Sequence, residues 1–207
     1  MFSGLGETYD PFIDRVRKVK RIVFVENESD WRAIQAIANA LDRPLSNIEP
    51  YPTTDSHKDR RKFFQKLEKG IPGIRALSLR DRDGAAVGSV CEETLRDKSD
   101  GHRLPNFSSR TLRRRELENY ALIPSCLART LGISEPDIKT WWETELALPF
   151  TGAAPTDASP ILEGDFKDAL QTRLLASGKS MDDLWGELMF DEVHKDLAAL
   201  ICQFHEL

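Results

Sequence analysis

The chain has 207 residues, of which 40% are hydrophobic and 30% charged, with a formal net charge of −5. That length suits one α/β domain with a helical appendage, and no apolar run approaches the roughly 18 residues that cross a bilayer, so a soluble globular protein is expected. Cys91, Cys126 and Cys202 are too few and too scattered for a disulfide frame or zinc ribbon, and His57, His102, His194 and His205 show no close metal-ligand spacing.

The start Met1-Phe2-Ser3-Gly4 has neither the basic nor the apolar region of a secretory signal, which places the expectation in the cytoplasm. Basic residues then gather at Arg15, Arg17, Lys18, Lys20 and Arg21. Arg21-Ile22-Val23-Phe24-Val25 is a β-branched run suited to a strand buried on both faces, and it stops at Glu26. Residues 30–41 put Trp31, Ile34, Ile37, Ala38 and Leu41 on one helical stripe, with Ser29 or Asp30 as the N-cap. A short strand is expected at residues 48–51. A helix follows at residues 57–69, capped by Ser56, with Phe63, Phe64 and Leu67 facing inward and a second basic group at Lys58, Arg60, Arg61 and Lys62. Residues 74–79 read as another buried strand, running directly into Arg80-Asp81-Arg82-Asp83-Gly84.

Beyond this point a short helix over residues 89–98, a strand over 109–112 and a third basic group at Arg110, Arg113, Arg114 and Arg115 are expected. Residues 116–131, 136–148, 165–176 and 181–204 all carry helical spacing, and the loop 149–164, rich in Pro, Ala, Gly and Thr, reads as a boundary or hinge. Alternation of strand and helix predicts a mostly parallel sheet with helices on both faces, followed by a helical region: residues 1–130 and 131–207.

Chemistry in open parallel sheets collects at the carboxyl ends of the strands. Glu26 and Asp81 both fall there, and if the chain remains extended, Asp81 and Asp83 direct their carboxylates to one side. Converging carboxylates repel one another unless a cation offsets them, and hard oxygen ligands suit Mg²⁺ or Mn²⁺. Each element also has a plainer reading: D-x-D in a turn after a strand, Asp30 as a first-turn acid stabilised by the helix dipole, and the basic groups as solvated faces.

Val25-Glu26-Asn27-Glu28-Ser29-Asp30 resembles the V-E-G-x-x-D element of Toprim domains, and Leu79-Arg80-Asp81-Arg82-Asp83-Gly84 resembles their D-x-D element. The segment from Arg115 to Pro124, with Glu118-Asn119-Tyr120 at its centre, is similar to the R-x-E-N-Y-L-x-P element of overcoming-lysogenization-defect (OLD) family nucleases, and Gly178-Lys179 to their G-K element. The resemblance implies a Toprim-like α/β fold and a divalent-metal-dependent endonuclease that cuts DNA with two metals. Glu26, Asp30, Asp81 and Asp83 would bind metal, with Arg113 or Lys179 steadying transition-state charge. Asn27 stands where the family has Gly, and its tolerance of left-handed backbone would accommodate the change. Such nucleases carry an N-terminal ATPase, yet the chain has no Walker A sequence, which implies a fragment of a larger protein or a stand-alone relative. Asp81-Arg82-Asp83-Gly84 also resembles the nucleophile motif of haloacid-dehalogenase-type phosphatases, and a non-catalytic Toprim docking module is a further alternative.

Overall fold

A computed structural model describes residues 11–90, 104–157 and 159–207. Four strands, β1 (Arg21–Val25), β2 (Glu49–Pro52), β3 (Arg75–Arg80) and β4 (Phe107–Thr111), form one sheet in the order β2-β1-β3-β4, with every pairing parallel. The α/β class and the parallel sheet expected from the sequence are therefore present. Helix α2 (Glu28–Ala40) carries the chain from β1 to β2, and α3 (His57–Gly70) returns it from β2 to β3. Because β2 lies on one side of β1 and β3 on the other, the chain reverses direction across the sheet between β1 and β3. Such a switch point leaves a crevice at the carboxyl ends of its two strands. Glu26 and Asp81 are the residues that leave those two ends.

The sheet is buried on both faces, as the unbroken apolar run in β1 requires: Ile22, Val23, Phe24 and Val25 have no exposed surface. On one face α1 (Pro11–Val19) and α3 pack Val16, Phe64 and Leu67 onto Ile22, Phe24, Ala76 and Phe107. The opposite face bears α2 and the helices that follow β4. Val23, Ile34, Ile37 and Leu77 share one apolar core with Leu127 of α4 (Pro124–Leu131), Trp142 of α5 (Glu135–Glu145) and Leu170 of α7 (Lys167–Ala176). Leu184 of α8 (Met181–Gly186) and Leu200 and Phe204 of α9 (Lys195–His205) complete it. The helical region and the sheet are thus joined through a common core.

Several boundaries differ from those expected, each for a local reason. Asn27 caps α2, its side chain accepting from the Asp30 N–H while Asp30 reciprocates to the Asn27 N–H, so neither Ser29 nor Asp30 is the cap. Asn27 itself is extended (φ −150°), and the left-handed allowance is not used. Residues 116–131 divide into a short 3-10 turn, Leu117–Ala121, and α4, since Pro124 fits only the first turn of a new helix. The final helical stretch likewise divides into α8 and α9. The loop over residues 149–164 contains α6 (Ser159–Glu163) and buries Ile161 and Leu162. The helix expected over residues 89–98 lies almost wholly outside the described residues.

Candidate metal centre at the sheet switch point

β1 ends at Val25, and the N-cap of α2 follows within two residues, so Glu26 and Asp30 are delivered together at the crevice. Asp81 arrives from β3 and accepts a hydrogen bond from the Leu117 N–H at 3.1 Å, which ties the D-x-D strand to the Glu118-Asn119-Tyr120 turn. Glu26, Asp30 and Asp81 line a cavity of about 10 Å³, with Arg80 at its edge and Val25, Leu79, Leu112 and Leu117 as apolar walls. That volume holds one water-sized occupant. A groove of about 170 Å³ opens beside it, sharing Asp30 and Leu117 and continuing past Glu118, Lys167 and Ser180.

The electrostatics match the crowding. Burial pushes the Asp81 carboxyl well above the ordinary 3.8, and the negative neighbours Glu26, Asp30, Glu118 and Asp83 push in the same direction. Burial also raises Asp30; its hydrogen bond from the Asn27 N–H opposes this, while Glu118 and Glu26 add to it. Glu26 Oε1 and Glu118 Oε2 are buried without a hydrogen bond. Cations nearby are side-on: Arg80 Nε lies 3.4 Å from Glu26 Oε1, and Lys167 Nζ lies 2.7 Å from Glu118 Oε1. Burial alone would lower the Lys167 ammonium, but its bond to Glu118 and the charges of Glu118, Glu116 and Asp81 raise it.

The remaining residues named from the sequence fall elsewhere. Asp83 does not stand beside Asp81: β3 stops at Arg80, and Asp83 adopts a left-handed conformation (φ 52°) with its carboxylate 3.7 Å from Arg80 and over half exposed. It contributes to the field at Asp81 without lining the cavity. Arg82, between the two, is buried; its guanidinium donates to the carbonyls of Arg113 (2.9 Å), Ala85 and Leu162 and so pins the loop. Arg113 is not a cation of this centre. It ion-pairs with Asp157 at 3.1 Å and Asp196 at 3.7 Å, because β4 aims it at the loop before α6 and at the start of α9. Lys179 is exposed at the turn between α7 and α8, next to Ser180 on the groove wall.

Asn119 and Tyr120 are structural. The Asn119 amide donates to the carbonyls of Ile161 and Gly164, each at 2.9 Å, and the Tyr120 hydroxyl donates to Asp196 at 3.3 Å while Arg114 lies over its ring. Glu118 faces the groove instead and pairs with Lys167. Lys167 escaped notice in the sequence because one lysine at the start of a helix has no local signal. Only the tertiary fold brings it to Glu118.

Arg60 supports the centre from below. It is fully buried, and its guanidinium donates to Leu79 O (2.6 Å), Phe24 O (3.3 Å), Ser78 Oγ (3.3 Å), Val25 O (3.4 Å) and Thr53 O. One side chain thereby fixes the ends of the two strands that deliver Glu26 and Asp81.

Compared with known protein families and with curated proteins, the chain matches none. Among the described residues the group whose metal-ligating atoms all lie within 4.8 Å of one another is Asp157, His194 and Asp196; the switch-point acids stand further apart than that. Arg113 and Arg114 already neutralise the carboxylates of Asp157 and Asp196, Arg114 Nε lying 3.0 Å from Asp157, so no cation is needed for charge balance there. At the switch point the donors are all oxygen, with Glu26, Asp30 and Asp81 lining the cavity and Glu118 on the adjoining groove, and this donor chemistry is that of a divalent cation of the Mg²⁺ or Mn²⁺ kind.

Proposed function

We propose that the chain is a divalent-metal-dependent endonuclease that hydrolyses DNA phosphodiester bonds, as its resemblance to Toprim and OLD-type sequences implies. The observation that carries this reading is the gathering of Glu26, Asp30 and Asp81 around a water-sized cavity, beside a groove that Glu118 and Lys167 line. Glu26, Asp30 and Asp81 would hold the metal, with Glu118 at its groove side and Asp83 available at the rim for a second ion. A bound Mg²⁺ or Mn²⁺ supplies Lewis-acid polarisation of the phosphoryl group and a more acidic water. The protein's own contribution is orientation and charge. Arg60 and Arg82 fix the loops, the apolar walls of Leu79, Leu112 and Leu117 limit access of bulk water, and Lys167 presents an ammonium where phosphoryl charge develops. Lys179, on the exposed rim, would meet the substrate further out.

The phosphatase reading assigns Asp81 as nucleophile and leaves Glu26, Asp30 and Glu118 without a role, although the fold spends four buried or half-buried acids on this one spot. Among the described residues no helix is long and apolar enough to cross a membrane. A cytoplasmic location, close to DNA, belongs to the same proposal, as does an ATPase region supplied by another segment or chain. The test is cleavage of supercoiled plasmid with Mg²⁺, with Mn²⁺ and with EDTA, for the parent and for Glu26→Gln. Nicked or linear product that requires metal and is lost in the variant is expected. Equal activity in EDTA, or parental cleavage by Glu26→Gln, refutes the reading.

A further inference from the structure

The net charge of −5 conceals a strong separation. Residues 11–21 contain five basic and one acidic residue, and His57–Gly70 contains six basic and two acidic, so these two segments carry +8 and the rest of the chain −13. Both segments lie on the same side of the sheet. Phe12 of α1 packs on Tyr51 with ring centroids 4.9 Å apart, and Tyr51 stacks on Phe63 of α3 at 5.0 Å, so the two basic segments are neighbours on one sheet face. On α3 the apolar Phe64 and Leu67 turn inward, while Lys58, Lys62, Lys66 and Lys69 are all exposed. At 100° per residue these four fall within an arc of about 80°, and from first to last they span about 16 Å. Lys62 is shared with Asp59 at 2.8 Å; among the described residues Lys58, Lys66 and Lys69 have no ion pair.

The position of this stripe relates it to the acidic centre. Helix α3 starts at the carboxyl ends of the strands, where His57 bonds Ser78 of β3 (2.7 Å) and Thr111 of β4 (3.0 Å) and Arg60 reaches Leu79 O. It then runs back along the sheet. We propose that the lysine face of α3, flanked by α1, is a docking surface for the sugar–phosphate backbone of duplex DNA, which it leads toward the switch-point centre. This deepens the nuclease reading and rests on it for the choice of duplex DNA. An acidic centre repels phosphates, so a chain that acts on them needs its attraction elsewhere, and regularly spaced ammonium groups on a rigid helix supply it by displacing condensed counterions. An anionic membrane offers similar charge, but the large exposed apolar residues among those described are Leu175, Met189 and Phe190, none of them on α1 or α3. The surface therefore lacks the apolar anchors of a lipid-binding face.

The experiment measures binding of the whole chain to a fluorescein-labelled 20-base-pair duplex by anisotropy in EDTA between 50 and 200 mM salt. Four phosphate contacts predict that parental affinity falls on the order of a hundredfold over that range. The variant Lys58→Gln/Lys62→Gln/Lys66→Gln/Lys69→Gln alters only exposed side chains, and circular dichroism establishes that it folds. Its slope of log affinity against log salt should be shallower by about three to four units. Lys139→Gln, an exposed change on α5, should leave the slope within about one unit. A parental slope in the quadruple variant, no parental binding at 50 mM salt, or binding of phosphatidylserine vesicles in preference to duplex overturns the proposal. Lysine-dependent binding without metal-dependent cleavage would sink the nuclease reading and leave the surface standing. Cleavage with an unaltered slope would do the reverse.

Discussion

Replacing Asp81 by Asn should make the metal-free protein more stable and the metal-loaded protein less so. The substitution keeps size and keeps an oxygen to accept the Leu117 N–H bond of 3.1 Å, and it adds N–H donors to a cavity that Glu26 and Asp30 also line. What disappears is a buried negative charge repelled by Glu26, Asp30, Glu118 and Asp83. Relief of this kind is worth about 0.5–2 kcal/mol, or about 1–8 °C in melting temperature for a domain of this size. The sign depends on pH. Because burial and like charges raise the folded carboxyl above the unfolded value of 3.8, parent and variant should agree below that value and diverge as pH rises through the folded one, the parent losing ground. Metal reverses the order, since Mn²⁺ at a hundred times its dissociation constant adds about 2.7 kcal/mol to a protein that binds it. Thermal denaturation at pH 4 and pH 8, in EDTA and in Mn²⁺, gives all four corners. A variant less stable than the parent at pH 8 in EDTA, or equally stabilised by Mn²⁺, would show that Asp81 is a structural acid and not a ligand.

Lys167→Met should leave the fold and the Mn²⁺ affinity, followed by calorimetry, undiminished while lowering plasmid cleavage by about tenfold or more, the usual loss for a transition-state charge partner; an unaltered rate would confine Lys167 to pairing with Glu118. Asp157→Asn should cost about 3 kcal/mol in urea denaturation at pH 7, because it strips Arg113 and Arg114 of a shared, largely buried partner. Burial opposes ionisation of Asp157, but its bond to His194 and the Arg114 charge hold the carboxyl far below 3.8, so its contribution is full above that value and fades as pH falls through the folded one. The gap between parent and variant should therefore shrink by pH 2, and a gap independent of pH would contradict this account.

The strands and the α2 and α3 helices were legible because their burial has a simple period. The unbroken apolar run in β1 meant two covered faces, and the i, i+3, i+4 spacing of Ile34, Ile37 and Ala38 meant one. The placement of Glu26 and Asp81 followed from those strands alone. What could not be read was backbone behaviour past a strand end. Asp83 departs from the side of Asp81 because the chain turns left-handed there, and Arg82 buries its guanidinium on three carbonyls, one of them contributed by a loop about eighty residues away. Charge partners were equally hidden, since Lys167 meets Glu118 across 49 positions and Arg113 meets Asp157 across 44. Pairings of that range depend on how α6 and α7 pack, which no local pattern in residues 149–164 specifies.

The two acidic clusters of this fold form an internal control for each other. Asp157 and Asp196 are surrounded by Arg113, Arg114 and His194, and each carboxylate has a cation or hydroxyl within reach. Such an arrangement is closed: it needs nothing further and holds the loop before α6 against β4 and α9. At the switch point, the two buried guanidiniums that could have neutralised the acids, Arg60 and Arg82, are instead given backbone carbonyls. Burial brings Arg60 down to about 10, with Arg80 adding to the effect and Glu26, Asp55 and Asp30 opposing it, so it stays charged at neutral pH, and among the described residues it makes no ion pair with a carboxylate. A fold able to satisfy its buried charges, as it does at Asp157, has left without hydrogen bonds Glu26 Oε1 in the cavity of one water's size and Glu118 Oε2 on the groove beside it. Both carboxylates keep an ion pair, Glu26 with Arg80 and Glu118 with Lys167, yet stability alone would also favour a hydrogen bond for each of these oxygens, because a buried acceptor without one is costly. The contrast supports the proposal of a small divalent cation at this place, with Glu26, Asp30 and Asp81 supplying hard oxygens around a water-sized seat.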